Sequence, residues 1–293
     1  MDKTIQILTS PMGCEPSARR SLIASAILAI KNGTTEAFEK QITNSTIQAK
    51  VYAMDDEDGE VDTVDPYELD DVSIPINSVC VLWVEGIIYP WKAFRLEQCI
   101  QQCNDNQRIV GMLVVYNTPG GFIHRVDIAS EAIKNSKKPV VGYVTGMCAS
   151  AGIWMASGSK RIFSASKSDR IGSIGIMTTW EDDSKFYESM GVEFKDLYAT
   201  FSTLKNEEER AAKGGDFAPI INNLDFINNL FHTQLSANLG ITYDKENDVF
   251  KGAMFFAEEA INLGIAHEMG SLNKALNYTL TEGMKVQANN NNY

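Results

Sequence analysis

The chain has 293 residues, 44% of them hydrophobic, and a net charge of −12 at pH 7. It is long enough for one large domain with a buried core. Ten acids crowd into residues 55–71 and no Lys or Arg occurs between Lys50 and Lys92, so the rest of the chain carries −2. A nucleic-acid binder needs a basic face, and that class is excluded.

The five cysteines, Cys14, Cys80, Cys99, Cys103 and Cys148, are odd in number and form no C-x-x-C pair. With no histidine near Cys99 and Cys103 to complete a ligand set, they read as reduced core residues, and no metal site is expected.

In chain order, residues 18–31 and 34–41 read as two helices separated by "NGT". The run "LIASAILAI" (22–30) follows Arg19 and Arg20 in the manner of a signal peptide, but it is far short of the roughly 20 residues that span a bilayer and Lys31 closes it. A buried helix is expected there, and a protein that is soluble and cytoplasmic. "TIQAKVYAM" (47–54) alternates as a strand does, and the acidic stretch 55–73 reads as a linker.

From residue 74 strands and helices alternate. "VCVLWVEG" (79–86) is continuously apolar, as in a strand buried on both faces. A helix around 91–105, the strand "IVGMLVVYN" (109–117), a helix around 125–135 and the strand "PVVGYV" (139–144) follow. A helix from about residue 150, short strands "RIFSA" (161–165) and "SIGIM" (173–177), and a long helix over 217–238 come next. This pattern predicts an α/β class with a mainly parallel sheet. The polar end 283–293, finishing "QANNNNY", reads as a disordered tail.

Two loops carry chemistry. "YNTPGG" (116–121) ends a strand with Pro119, Gly120 and Gly121, and paired glycines can expose N–H groups to a developing oxyanion. "GMCASAG" (146–152) sets Ser150 among small residues at a predicted helix start, where free N–H groups favour negative charge. Read alone, Ser150 is equally an N-cap on a tightly packed helix. Its small neighbours would also let a peptide lie across it.

A nucleophilic serine needs a base. The three histidines are His124, His232 and His267, and "SDRIGSIGIM" (168–177), where a Clp-type triad would place its histidine, has none. A lysine can serve if its environment lowers its pKa, since neutralising an ordinary lysine at pH 7 costs roughly 4.6 kcal/mol.

The ordered series "NTPGG", "KPVVGYVTGMCASAG", "SKRIFSA", "GSIGI" and "FAEEAINLGIAHEMGS" resembles the signal peptide peptidase A family, which includes phage capsid-maturation proteases, over about residues 74–280. The resemblance implies a crotonase- and Clp-protease-like α/β fold and a Ser–Lys dyad without metal or cofactor. Ser150 would be the nucleophile, and Gly120 or Gly121 with Ala151 the oxyanion hole. Ser173 would orient the lysine. Within "GVEFKDLYATFSTLKNEEER" (191–210) Lys205 matches the family lysine best, with Lys195 and Lys213 as alternatives. His267 stands where relatives commonly carry an acid.

The resemblance further implies protein or peptide substrates, among them phage scaffold, portal or capsid proteins, and a homo-oligomeric ring or dome. Neither nucleic acid nor membrane is expected as a partner. The chain divides on this reading into an N-terminal extension (1–54), the acidic linker (55–73), the peptidase domain (74–282) and the tail (283–293). Two other readings stay open: a crotonase-type acyl-CoA enzyme using carboxylates, and an inactive assembly subunit on the same fold.

Overall fold

A computed structural model describes residues 12–14, 16–43, 47–53, 61–64, 69 and 74–290, apart from 181, 183, 190 and 194. It opens with strand β1 (Met12–Cys14), helices α1 (Pro16–Asn32) and α2 (Thr35–Thr43), and strands β2 (Gln48–Tyr52) and β3 (Val61–Val64). Then come β4 (Ser78–Glu85), α3 (Pro90–Asp105), β5 (Ile109–Thr118), β6 (Gly120–Phe122), α4 (Val126–Lys134), β7 (Val140–Ala149) and α5 (Ala151–Ala156). The second half holds β8 (Arg161–Ser164), β9 (Arg170–Gly172), α6 (Ser184–Ser189), α7 (Glu207–Lys213) and α8 (Ala218–Leu239). It closes with a 3-10 turn (Asp248–Lys251), β10 (Met254–Phe256), α9 (Ala257–Asn262), β11 (Glu268–Met269) and α10 (Leu272–Asn290).

The sheet runs β10-β9-β7-β5-β4-β2-β3, with β8 and β11 branching from β7. The pairs β4–β5, β5–β7, β7–β8, β7–β9 and β8–β11 are parallel, while β2–β3, β2–β4 and β9–β10 are antiparallel. The α/β class with a mainly parallel sheet and flanking helices is therefore present. Burial explains the apolar runs. One face of the sheet packs with α3, α4, α5 and α8 in a core that includes Leu82, Val114, Leu96, Ile153 and Phe231. The other carries Val81, Leu113, Val115 and Phe163 against Ala275 and Leu280 of α10. Cys80, Cys99 and Cys103 are free thiols buried in the first of these layers, as expected of core residues.

Several expectations change. Strand β2 is continuous with the main sheet through its pairing with β4, so it is joined to the region after residue 74. Residues 61–64 of the expected linker form β3 beside β2, and most of the rest of 55–73 lies outside the described residues. No strand forms over 173–177. Pairing falls instead on Arg170–Gly172, because Gly172 at φ 136° and Ser173 at φ 53° turn the chain out of extended geometry. The polar stretch 283–290 continues α10, where Gly283 meets the backbone of Val110. Residues 291–293 lie outside the described residues.

Candidate active site

The two loops singled out in the sequence meet at the C-terminal ends of β5 and β7. Thr118 pairs with Cys148 across those strands, two residues before Ser150. Ser150 then stands between β7 and α5 with φ 52° and ψ −118°, a backbone conformation outside the regions open to ordinary L-residues. Its N–H donates to Gly172 O at 2.9 Å, and its carbonyl accepts from Trp154 N at 3.0 Å.

This geometry does not fit an N-cap serine. A capping serine takes extended φ/ψ and its oxygen accepts from the first-turn amides. Ser150 has neither the dihedrals nor a side-chain cap hydrogen bond. It is buried all the same. The side chain is carried on a sharp, strained turn, and strain of this kind clusters at functional sites.

The small residues around it have packing reasons of their own. Gly146 lies at φ +94°, and a Cβ there would come 2.9 Å from Asn117 Oδ1. A Cβ on Gly152 would meet Thr118 Cγ2 at 2.6 Å. The positive φ at 146 and the close approach of Thr118 at 152 therefore call for both glycines, whether or not a substrate crosses them.

The PGG turn is fastened at several points. Thr118 Oγ1 donates to Gly86 O at 2.6 Å and accepts from Gly120 N at 3.1 Å. Ile88 N donates to Gly120 O at 2.9 Å, and Phe122 N donates to Ile88 O at 2.7 Å. Gly121 is required here, since a Cβ would lie 2.1 Å from Ile88 O. The Gly120 N–H is thus already paired. Main-chain groups alternate sides along a strand, so the N–H and C=O of Gly121 face away from Ile88.

Beneath this turn sits a group the sequence reading missed. Lys92 of α3 is 1% exposed, and its Nζ donates to Glu85 O at 2.5 Å and Ile87 O at 3.1 Å. Burial lowers its pKa to about 8 against a small opposing effect of Glu85. Asp169 was missed as well. Its buried carboxylate accepts from Gly146 N, Ser164 Oγ and Ser166 N. A lysine inside a predicted helix and an aspartate in a polar turn carry no pattern that marks them.

Ser173 directly follows Gly172, the backbone partner of Ser150, and its own N–H donates to Ala253 O at 2.7 Å. Lys205 lies on the exposed loop before α7, lining a shallow recess of about 250 Å³ with Asp196, Tyr198 and Ser202. Among the described residues no hydrogen bond joins Lys205 to Ser150 or Ser173. Leu197, Phe201 and Leu204 on the same loop are 93%, 97% and 73% exposed. Lys195 pairs with Glu193 at 3.2 Å. Lys213 pairs with Glu209 at 2.8 Å, and that carboxylate holds its ammonium above the usual lysine range.

The histidines are elsewhere. His124 is exposed. His232 is buried among Phe231, Tyr243 and Phe250, and burial holds its pKa below the usual value. His267 Nδ1 accepts from Ile162 N at 3.0 Å, which ties β11 to β8. Among the described residues no group of His, Cys, Asp or Glu could hold a metal ion, and no helix is long and apolar enough to cross a membrane.

Comparison with known proteins bears on the same region. The profile of peptidase family S49 matches residues 132–287. Protease 4 of Haemophilus influenzae is 22% identical over 233 residues, covering 72% of this chain and 36% of that protein. Capsid assembly protease C of Escherichia phage lambda is 25% identical over 172 residues, covering 58% of this chain and 39% of that protein. The chain thus spans little more than a third of the length of either. Among solved structures, a ClpP1 mutant from Listeria monocytogenes aligns over 67% of this chain and 94% of its own, with 17% identity and a TM-score of 0.45.

Proposed function

The chain belongs to peptidase family S49, and we propose that it is a serine peptidase whose nucleophile is Ser150 and whose base is Lys205. The observation that carries this reading is the strained, uncapped backbone of Ser150 beside the PGG turn. Lys205 takes the proton of Ser150 Oγ as that oxygen attacks the scissile carbonyl. The oxyanion is received by the N–H groups of Gly121 and Ala151, Gly120 being committed to Thr118. The intermediate then collapses, and the C–N bond breaks as the leaving amine takes the proton from Lys205. A water deprotonated by the neutral Lys205 hydrolyses the ester, and Lys205 returns that proton to Ser150; no metal or cofactor takes part.

Lys205 is favoured over Lys195 and Lys213 on electrostatic grounds. A base must be neutral, and a carboxylate partner keeps an ammonium charged. Lys213 holds such a partner in Glu209, Lys195 is tied up in an ion pair with Glu193, and Lys205 forms no ion pair among the described residues. A lysine acts as a base when desolvated or set beside another cation, so on this reading the exposed Lys205 loop is covered in the active form. The exposed Leu197, Phe201 and Leu204 supply an apolar surface for that cover, and a second copy of the chain in a homo-oligomer is the proposed source. We assign Ser173 the role of orienting the lysine, on the support that it follows Gly172, the backbone partner of Ser150. Protein substrates follow from the reaction. By likeness to the phage lambda relative we extend the reading to scaffold, portal or capsid proteins, with action in the cytoplasm or within a prohead.

Digestion of an unfolded protein, read by mass spectrometry, tests the assignment. Wild type should cut, and Ser150→Ala and Lys205→Ala should not. The rate should climb with pH as the lysine loses its proton; a rate unchanged between about pH 6 and 9 would count against a lysine base.

A further inference from the structure

Strand β1 bears on how this site is used. Met12, Gly13 and Cys14 run antiparallel to β6, with Met12 opposite Phe122, Gly13 opposite Gly121 and Cys14 opposite Gly120. The opposite side of β6 is taken by Ile88, which bonds Gly120 O and Phe122 N. Alternation leaves the N–H and C=O of Gly121 directed at Gly13, in the hydrogen-bonded position of an antiparallel pair. The amide offered above to an oxyanion thus faces the chain's own N-terminal segment.

Direction matters as much as position. Along β1 from N to C, the segment passes Phe122, then Gly121, then Gly120. Gly120 is bonded to Thr118, which pairs with Cys148 just before Ser150. The strand therefore advances toward the serine as an extended chain laid along an exposed strand edge would.

We infer that Met12–Cys14 is an internal occupant of the substrate strand, seated on β6 so that the N-terminal segment holds the site closed until it is displaced. The inference rests on the peptidase reading and adds a control to it. The segment competes intramolecularly, so a free peptide must overcome its effective concentration. Activation requires release of the N-terminal segment, by a partner or by removal.

Gly13→Pro removes the central N–H of the pairing and leaves every residue of the site intact. Its rate on a short peptide substrate should exceed that of wild type by about tenfold, as for a segment seated in all but about a tenth of molecules. A synthetic peptide spanning residues 9–17 should inhibit Gly13→Pro competitively. Amide exchange reads the contact without catalysis. The Gly121 N–H should exchange faster in Gly13→Pro than in wild type, while the Phe122 N–H, bonded to Ile88, stays protected. Equal Gly121 exchange in the two proteins overturns the inference. So do equal rates of cleavage that Ser150→Ala abolishes, which leave the peptidase reading standing. Absence of cleavage by Gly13→Pro as well as wild type sinks the peptidase reading and this control together.

Discussion

Asp169 Oδ1 accepts the backbone N–H of Gly146 at 2.8 Å, at the point where β7 leaves β8 and turns to β9. Its other oxygen holds Ser164 Oγ at 2.7 Å and Ser166 N at 3.0 Å. One carboxylate thus ties together three segments that set the direction in which the chain reaches Ser150.

Asp169→Ala removes the acceptor of three donors, of which Ser164 Oγ is buried, while Gly146 and Ser166 are exposed. An orphaned buried donor costs about 1–3 kcal/mol and the exposed amides can turn to water, so the variant should lose about 1–3 kcal/mol of stability. Asp169→Asn keeps the shape but turns an amide N–H₂ toward donors at one of the two oxygens, and should lose less. Denaturant midpoints give the order wild type, Asn, Ala. Asparagine and alanine variants of equal stability would show that the three bonds do not act through the carboxylate.

The backbone of Ser150 makes a second prediction of unusual sign. A non-glycine residue held at φ 52° and ψ −118° carries about 1–3 kcal/mol of strain, which glycine removes. Ser150→Gly should therefore be inactive and more stable than Ser150→Ala, which keeps the Cβ and the strain. Comparing the two thermal midpoints isolates the backbone, since neither variant has a hydroxyl. A less stable glycine variant would mean that the turn is not strained.

The apolar runs of β4, β5 and β7 and the two loops after β5 and β7 could be read directly, because burial on both faces and glycine at a turn leave marks within a few residues. Asp169, Thr118 and Lys92 could not, since their partners, Gly146, Gly86 and Ile87, are chosen by the folded topology. Strand β1 was equally hidden. Its three residues carry no periodicity, and only pairing with residues more than a hundred positions away makes them a strand. The polar end of α10 looked like a tail because composition does not report that Gly283 packs on Val110.

Lys92 predicts a pH dependence. Burial lowers its folded pKa from 10.5 to about 8, so between those values the unfolded chain binds the proton more readily than the folded one. Stability contributed by this residue must therefore rise with pH across that window, by as much as about 3 kcal/mol. Lys92→Met removes the titration. The stability of wild type relative to Lys92→Met should increase from pH 8 upward, measured by denaturant midpoints at about pH 7, 8.5 and 10. A constant difference would place the ammonium in a well-solvated site. The variant should also cut more slowly, through kcat more than KM. Lys92 holds the Glu85 and Ile87 carbonyls, and that loop anchors the PGG turn.

Gly152 and Thr118 offer a test of packing by suppression. Alanine at 152 would gain up to about 1 kcal/mol of helix propensity, but its Cβ would sit 2.6 Å from Thr118 Cγ2. The overlap should dominate and cost about 1–3 kcal/mol, with a matching loss of activity as the turn before α5 shifts. Thr118→Ser deletes that methyl and keeps the oxygen that bonds Gly86 O and Gly120 N. The double variant Gly152→Ala with Thr118→Ser should therefore recover most of both losses, although Thr118→Ser alone is neutral or mildly destabilising. Such non-additivity in a double-mutant cycle assigns the small residue at 152 to strand packing rather than to substrate clearance. If stability returns in the double variant while activity stays low, the missing Cβ at 152 serves the substrate as well, and both reasons for the glycine hold.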